Sequence, residues 1–222
     1  MKVLVACEES QRVCIEFRKL GYTAFSCDIE DCSGNHPEWH IKQDVTPLIN
    51  GDCVFKTCDG KTHEIKGEWD LLIAHPPCTY MSKAGARWMY PKAGVIDEER
   101  LKKGLAAKEF FNKFLNAKCK RICIENPRPL LVIGLPKPTQ IIQPFEYGHP
   151  YSKATCLWLK GLKPLQPTKI MNRYIPYLPS NTSKFAKGFG GGRGVVHNSK
   201  DFSKTFEGVA AAMANQWGGL ND

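Results

Sequence analysis

No apolar run among the 222 residues approaches the roughly 18 that a helix needs to cross a bilayer. The apolar start, Val3-Leu4-Val5-Ala6-Cys7, runs straight into Glu8 and Glu9, so no secretory leader is read there. Internal repeats and sustained heptads are also lacking, which sets aside solenoids and coiled coils. Acids are the scarcer charge: 22 Asp and Glu stand against 31 Lys and Arg, a net charge of +9. Such a balance favours a polyanionic partner such as nucleic acid, bound with counterion release, although a basic surface kept for solubility reads the same way. Ten cysteines without a leader read as free thiols in a reducing cytoplasm. The expectation is a cytoplasmic protein, of bacterial or phage-infected host cytoplasm, with no membrane partner and an oligomeric state left open.

A length of 222 residues suits one α/β domain with an insertion, and 42% hydrophobic with 24% charged residues is the composition of a folded chain. Residues 2 to 7 read as a buried strand. In the following VCIEFRKLG, Val13, Phe17 and Leu20 recur at helical spacing and Gly21 stops the helix. A second strand, Thr23 to Cys27, ends on Asp28. Trp69 to Ala74 is a third, halted by His75-Pro76-Pro77-Cys78, because proline cannot donate to a ladder. From Glu98 to Ala117, Leu101, Leu105, Phe110 or Phe111, Phe114 and Leu115 predict a long amphipathic helix. Arg121 to Ile124 then make a strand that ends in Glu125-Asn126-Pro127. Strands alternating with helices predict a doubly wound, mostly parallel sheet. After Pro127 the chain is dense in proline, and from Ser180 to Lys204 it is rich in Gly, Ser and Lys, which reads as an irregular, mobile insertion. Phe206, Val209, Met213 and Trp217 predict a final helix over Thr205 to Trp217.

In doubly wound sheets, ligands sit outside the carboxyl ends of the strands. Three such ends carry unusual residues: Asp28 with Glu30, Pro76-Pro77-Cys78, and Glu125-Asn126-Pro127. An acid ending strand two suits the ribose hydroxyls of a cofactor, since a carboxylate accepts two hydrogen bonds from a diol; the plain alternative is a cap on the next turn. A cysteine behind two prolines is partly exposed, so its thiolate is within reach of a substrate.

His75 to Ser82, HPPCTYMS, together with IENP from Ile124 to Pro127, resembles the paired Pro-Cys and Glu-Asn motifs of DNA cytosine-C5 methyltransferases, as a short, divergent, phage- or prophage-like member. That resemblance implies a Rossmann-like class I S-adenosylmethionine-dependent methyltransferase fold. Cys78 would attack C6 of cytosine and Glu125 would contact N3. The chemistry agrees, because C5 of cytosine must become enamine-like before it attacks a methyl sulfonium, and thiolate addition at C6 achieves this. Glu125 is then expected to be proton-rich, with a raised carboxyl pKa in an enclosed site.

The resemblance further implies S-adenosyl-L-methionine as cofactor, held by Ala6, Cys7, Glu8, Ser10, Asp28, Ile29, Asp44 and Pro76. DNA would be contacted by Pro77, Ser82, Asn126, Pro127, Arg128 and Arg193, and no metal is implied. It divides the chain into a catalytic core (1–127), an irregular Pro/Gly/Lys-rich recognition insertion (128–204) and a C-terminal helix packing back on the core (205–222). A base in duplex DNA would have to be extruded. Lys153, Lys160, Arg173, Lys184, Lys187 and Arg193 are candidate phosphate partners, and Trp158, Tyr174 and Tyr177 candidate stacking platforms or small-core residues. The chain departs from the family in three respects. ACEESQ replaces the glycine-rich first loop, no Gln-x-Arg-x-Arg segment is seen, and no Gly-Asn pair precedes the last helix.

Three other readings stay open: the same chemistry on a free nucleotide or RNA, a modified donor, and an idle basic nucleic-acid-binding protein. An amine methyltransferase fits less well, since it needs no Cys78. Cys27, Cys32, His36 and His40, with Cys53 and Cys58 nearby, match no common zinc spacing. Gly190 to Gly194 reads as a flexible lid rather than a phosphate cradle.

Overall fold

The computed structural model describes residues 1–177 and 203–219. Its strands, in chain order, are β1 (Lys2–Ala6), β2 (Thr23–Asp28), β3 (His40–Lys42), β4 (Cys53–Lys56), β5 (Thr62–Ile65), β6 (Leu71–Ala74), β7 (Ile122–Pro127), β8 (Gln140–Ile142), β9 (Tyr151–Ser152), β10 (Thr155–Lys160) and β11 (Ile175–Pro176). The helices are α1 (Arg12–Lys19), α2 (Ala86–Met89), α3 (Glu98–Leu115) and α4 (Glu207–Gly218).

Val3 to Ala6 and Leu71 to Ala74 have no exposed surface, as strands covered on both faces must, and they lie side by side at the centre of a seven-stranded sheet. The order is β3-β2-β1-β6-β7-β10-β8. The first five are parallel, and β10 runs antiparallel to both β7 and β8. This is the expected fold class: an α/β, Rossmann-like, doubly wound and mostly parallel sheet. Residues 140–142 and 155–160 complete it from within the stretch that reads as irregular, because the proline-dense surroundings conceal two short strands.

One face of the sheet is covered by α1 and α4, which bury Val13, Phe17, Val209, Met213 and Trp217 against Val3, Val5, Ile73 and Cys123. The other carries α3, through Phe111 and Phe114, and the β4–β5 hairpin, through Phe55 and Ile65. Asp97 starts α3 by accepting the Arg100 N–H at 2.7 Å, the usual way an orphan first-turn donor is satisfied. Leu105, expected on the apolar stripe, is exposed, and the buried Gly104 occupies that face. Among the described residues, no helix is long and apolar enough to cross a membrane.

The strand order reverses between β1 and β6. The carboxyl ends of these two strands, and of β2 and β7 beside them, therefore border the crevice where this architecture places ligands.

Candidate active site

The turn from β1 into α1 does without glycine. Cys7 and Gln11 both have φ of 58°, in the left-handed region, at an expected cost of about 1 kcal/mol or more each. Side chains hold it there. The Glu8 carboxylate folds inward and accepts the Val13 N–H at 2.7 Å and the Cys14 N–H at 3.2 Å, capping α1. The buried Gln11 donates to the His36 carbonyl at 2.9 Å and accepts the His36 N–H at 3.1 Å, fastening the 30–36 loop to the turn. Glu8, expected at the cofactor, thus has its carboxylate engaged inside the protein. Burial pushes its pKa up to about 7, against the pull of His75 and the two helix N–H groups. Ser10 is half-buried on the same turn, and Ala6 is buried at the end of β1.

Asp28 ends β2, with Oδ1 taking the Glu30 N–H at 3.0 Å, and next to it Ile29 is 74% exposed. Asp44, two residues past β3, accepts the Thr46 N–H and hydroxyl, which hold its carboxyl below the usual range. Burial raises the Cys7 thiol pKa, and Asp28 and Asp44 raise it further. Cys7, Asp28 and Asp44 therefore share one neighbourhood, with an apolar side chain standing free beside it.

Beyond β6, Pro76 is buried and Pro77 exposed, which leaves Cys78 partly exposed. Asn126, expected to face substrate, is buried and donates to the Pro76 carbonyl at 2.7 Å, tying the Pro-Pro-Cys loop to β7. Backbone bonds from Lys83 to the Arg128 carbonyl and from Leu130 to the Met81 carbonyl close the same seam. Ser82 is buried within it and bonds to Cys78 through both its backbone N–H and its hydroxyl. Pro127 is half-buried and Arg128 exposed.

Alternation along the strands decides where His75 and Glu125 point. Ile73 and Cys123 face α1 and α4, so His75 and Glu125, two residues further on, face the same way. His75 Nδ1 lies 3.0 Å from Glu125 Oε2, with both side chains largely buried. Burial alone would lower the His75 pKa, but the hydrogen bond and charge of Glu125 win and raise it, with Glu8 adding to the effect. Burial alone would raise Glu125, but His75 and Lys153 hold it below the ordinary carboxyl value. The direction runs against the raised carboxyl pKa expected for Glu125: its hydrogen bond with His75 favours the ionised carboxylate. Cys78 is pushed up by burial and by Glu125, and eased by Lys153 and Ser82. Sequence reasoning treated His75 only as part of the motif, and its position directly before the prolines was the available signal.

A small pocket open to solvent lies on the α4 side of Glu125, bounded by Lys153, Thr155, Pro144, Thr205 and Phe206. Cys78 is not part of its wall. Lys153, expected at phosphate, thus faces Glu125. Lys160 instead reaches the Ala117 carbonyl. Trp158 is core, edge-on to Phe111 and bonded to the Pro136 carbonyl. Tyr174 stacks on Phe145, and Tyr177 packs on Phe206 and Tyr151. Lys184, Lys187, Gly190 to Gly194 and Arg193 lie outside the described residues. No group of three His, Cys, Asp or Glu among the described residues could hold a metal ion. His40 bonds Ser26 and the Glu30 carbonyl, and His36 stacks on Trp39.

No protein-family model and no curated protein sequence matches the chain. Among solved structures, it is similar to a protein described as a DNA modification methyltransferase encoded within an E. coli prophage (14% identity, TM-score 0.44, covering 77% of this chain and 52% of that one). It is also similar to a triple mutant of DNMT2 from Spodoptera frugiperda (14% identity, TM-score 0.36, covering 82% and 56%). The chain spans about half the length of either.

Proposed function

We propose that the protein transfers a methyl group from S-adenosyl-L-methionine to C5 of cytosine in DNA, with Cys78 as nucleophile. The observation that carries this reading is the convergence, at the carboxyl ends of the neighbouring strands β6 and β7, of a partly exposed thiol and a buried carboxylate within one electrostatic field. Cys78 bonds to C6 of the ring, Glu125 binds at the N3 edge, and the electron-rich C5 then takes the methyl group. Loss of the C5 proton and expulsion of the thiolate return the enzyme. The Cys78 thiol is raised above its ordinary value, so its proton passes to solvent as the C6 bond forms and is regained when the thiolate is expelled, leaving the C5 proton as the one released overall.

The cofactor supplies the electrophilic methyl group. Asp28 would hold its ribose, Ile29 would cover its adenine and the Cys7 to Ser10 backbone would border its methionine end, which is the neighbourhood described above. The net charge of +9 supports a polymeric acceptor. Residues 128–204 would serve recognition, with Arg128 and Arg193 at phosphate.

Incubation with methyl-tritiated S-adenosylmethionine and cytosine-containing DNA, followed by nucleoside analysis, tests this. The label is expected in 5-methylcytosine, absent with Cys78→Ala, and reduced at low cofactor with Asp28→Ala. Label on an amine nitrogen, or turnover by Cys78→Ala, would overturn the reading.

A further inference from the structure

The His75 ring serves neither as nucleophile nor as ring contact, yet it is the most constrained polar group in the site. Its Nδ1 meets Glu125 at 3.0 Å, and its Nε2 is buried without a hydrogen-bond partner. A histidine kept only to brace a loop would have both nitrogens satisfied, since a buried unpaired polar atom costs free energy. Three charged groups act on it: Glu125 from β7, Glu8 from the turn between β1 and α1, and Lys153 from the segment between β9 and β10; Glu125 and Lys153 also act on Cys78.

We propose that His75 is the positioning residue and proton reservoir of the site, delivering the proton on Nδ1 to Glu125 as the thiolate adds to a bound pyrimidine ring and recovering it as the thiolate leaves. The inference rests on the reading of Glu125 as the N3 contact. At rest the pair is imidazolium and carboxylate. As electron density reaches N3 after thiolate addition at C6, a Glu125 O–H bond forms while the His75 Nδ1–H bond breaks, and the carboxyl proton passes to N3. The imidazole is then neutral and Glu125 ionised again. When the thiolate leaves, N3 gives the proton back by the same route, so no outside acid is consumed. Glu8, when ionised, raises the His75 pKa further, and the hydrogen bonds that fix Glu8 come from the first turn of α1, which borders the proposed cofactor turn.

The test uses the full chain with nitrogen-15 histidine, His75 being assigned by its disappearance in His75→Gln. In the wild type His75 is expected to lose its second ring proton above pH 6.5, and Glu125→Gln to move that transition down by about one unit or more. With DNA substrate, His75→Gln is expected to lose about 100-fold or more in turnover, within the range for a positioned proton donor. It should also lose the alkaline fall of the wild-type pH profile while keeping cofactor affinity within about twofold. His75→Asn repeats the measurement if His75→Gln does not fold. A His75 transition at or below 6.5 in the wild type, or a variant that keeps both turnover and pH profile, overturns the proposal. If the wild type makes no 5-methylcytosine, the proposed reaction fails while the nitrogen-15 titration still decides the protonation claim.

Discussion

Replacing Glu125 by alanine removes one half of a buried pair and leaves an imidazole that can answer by giving up its proton, so the cost should depend on pH. The two side chains are 9% and 15% exposed, and breaking such a pair costs about 3–5 kcal/mol while the orphaned partner stays charged. Once His75 is neutral, the loss shrinks to a hydrogen bond and some packing, about 1–2 kcal/mol. The signs follow from the two shifts. His75 has its folded pKa above the ordinary 6.5, so its share of the stabilisation is complete below that value and disappears as pH rises through the folded pKa. Glu125 has its folded pKa below the ordinary 4.5, so its share is present above that value and is lost as pH falls through the folded one. The penalty of Glu125→Ala should therefore peak between 4.5 and 6.5. In thermal unfolding of both proteins across that range and up to pH 8.5, the gap should be roughly 10 °C near pH 5.5, narrowing to a few degrees at the alkaline end. Glu8, which remains, will blunt the effect without reversing it. A gap that is flat, or that widens as pH rises, would refute the imidazolium–carboxylate assignment.

Gly34→Ala would put a Cβ 2.6 Å from Gln11 Cβ and 2.8 Å from the Ser10 carbonyl, prising the 30–36 loop off the first turn. With two Gln11 bonds to His36 at stake, a loss of about 2 kcal/mol is expected, together with weaker cofactor binding in calorimetry; unchanged affinity would detach that loop from the site. Gly208→Ala would drive a Cβ to 1.9 Å from the Tyr147 carbonyl and disturb the bond from the Gly208 N–H to His149, so it should loosen α4. Faster amide exchange over 207–218 is the expected result, and wild-type protection would contradict it. Trp217→Ala empties a site that is 1% exposed and removes the bond to the Lys163 carbonyl, for about 3–5 kcal/mol by urea denaturation.

Four of the five parallel strands, β1, β2, β6 and β7, were legible as short runs rich in apolar residues, three of them leading into marked residues at Asp28, Cys78 and Glu125; β3, three residues reading HIK, carries no such pattern. β8 and β10 were not legible. TCLWLK lies among prolines, and its burial on both faces comes from partners at 122–127 and 140–142 that local pattern cannot reveal. The missing glycines of the first turn read as a departure; the structure shows Cys7 and Gln11 taking up the left-handed geometry, held by Glu8 and Gln11 side chains. The pairing of His75 with Glu125 joins residues 50 apart in sequence, and it turns the shift expected for Glu125 alone from upward to downward.

The most direct test of the account is covalent capture: the protein incubated with S-adenosylmethionine and DNA containing 5-fluorocytosine, run on a denaturing gel and peptide-mapped. A shifted band whose cross-link maps to Cys78 is the predicted result. Intact, cofactor-binding protein that yields no band, or a cross-link at any other cysteine, would contradict it.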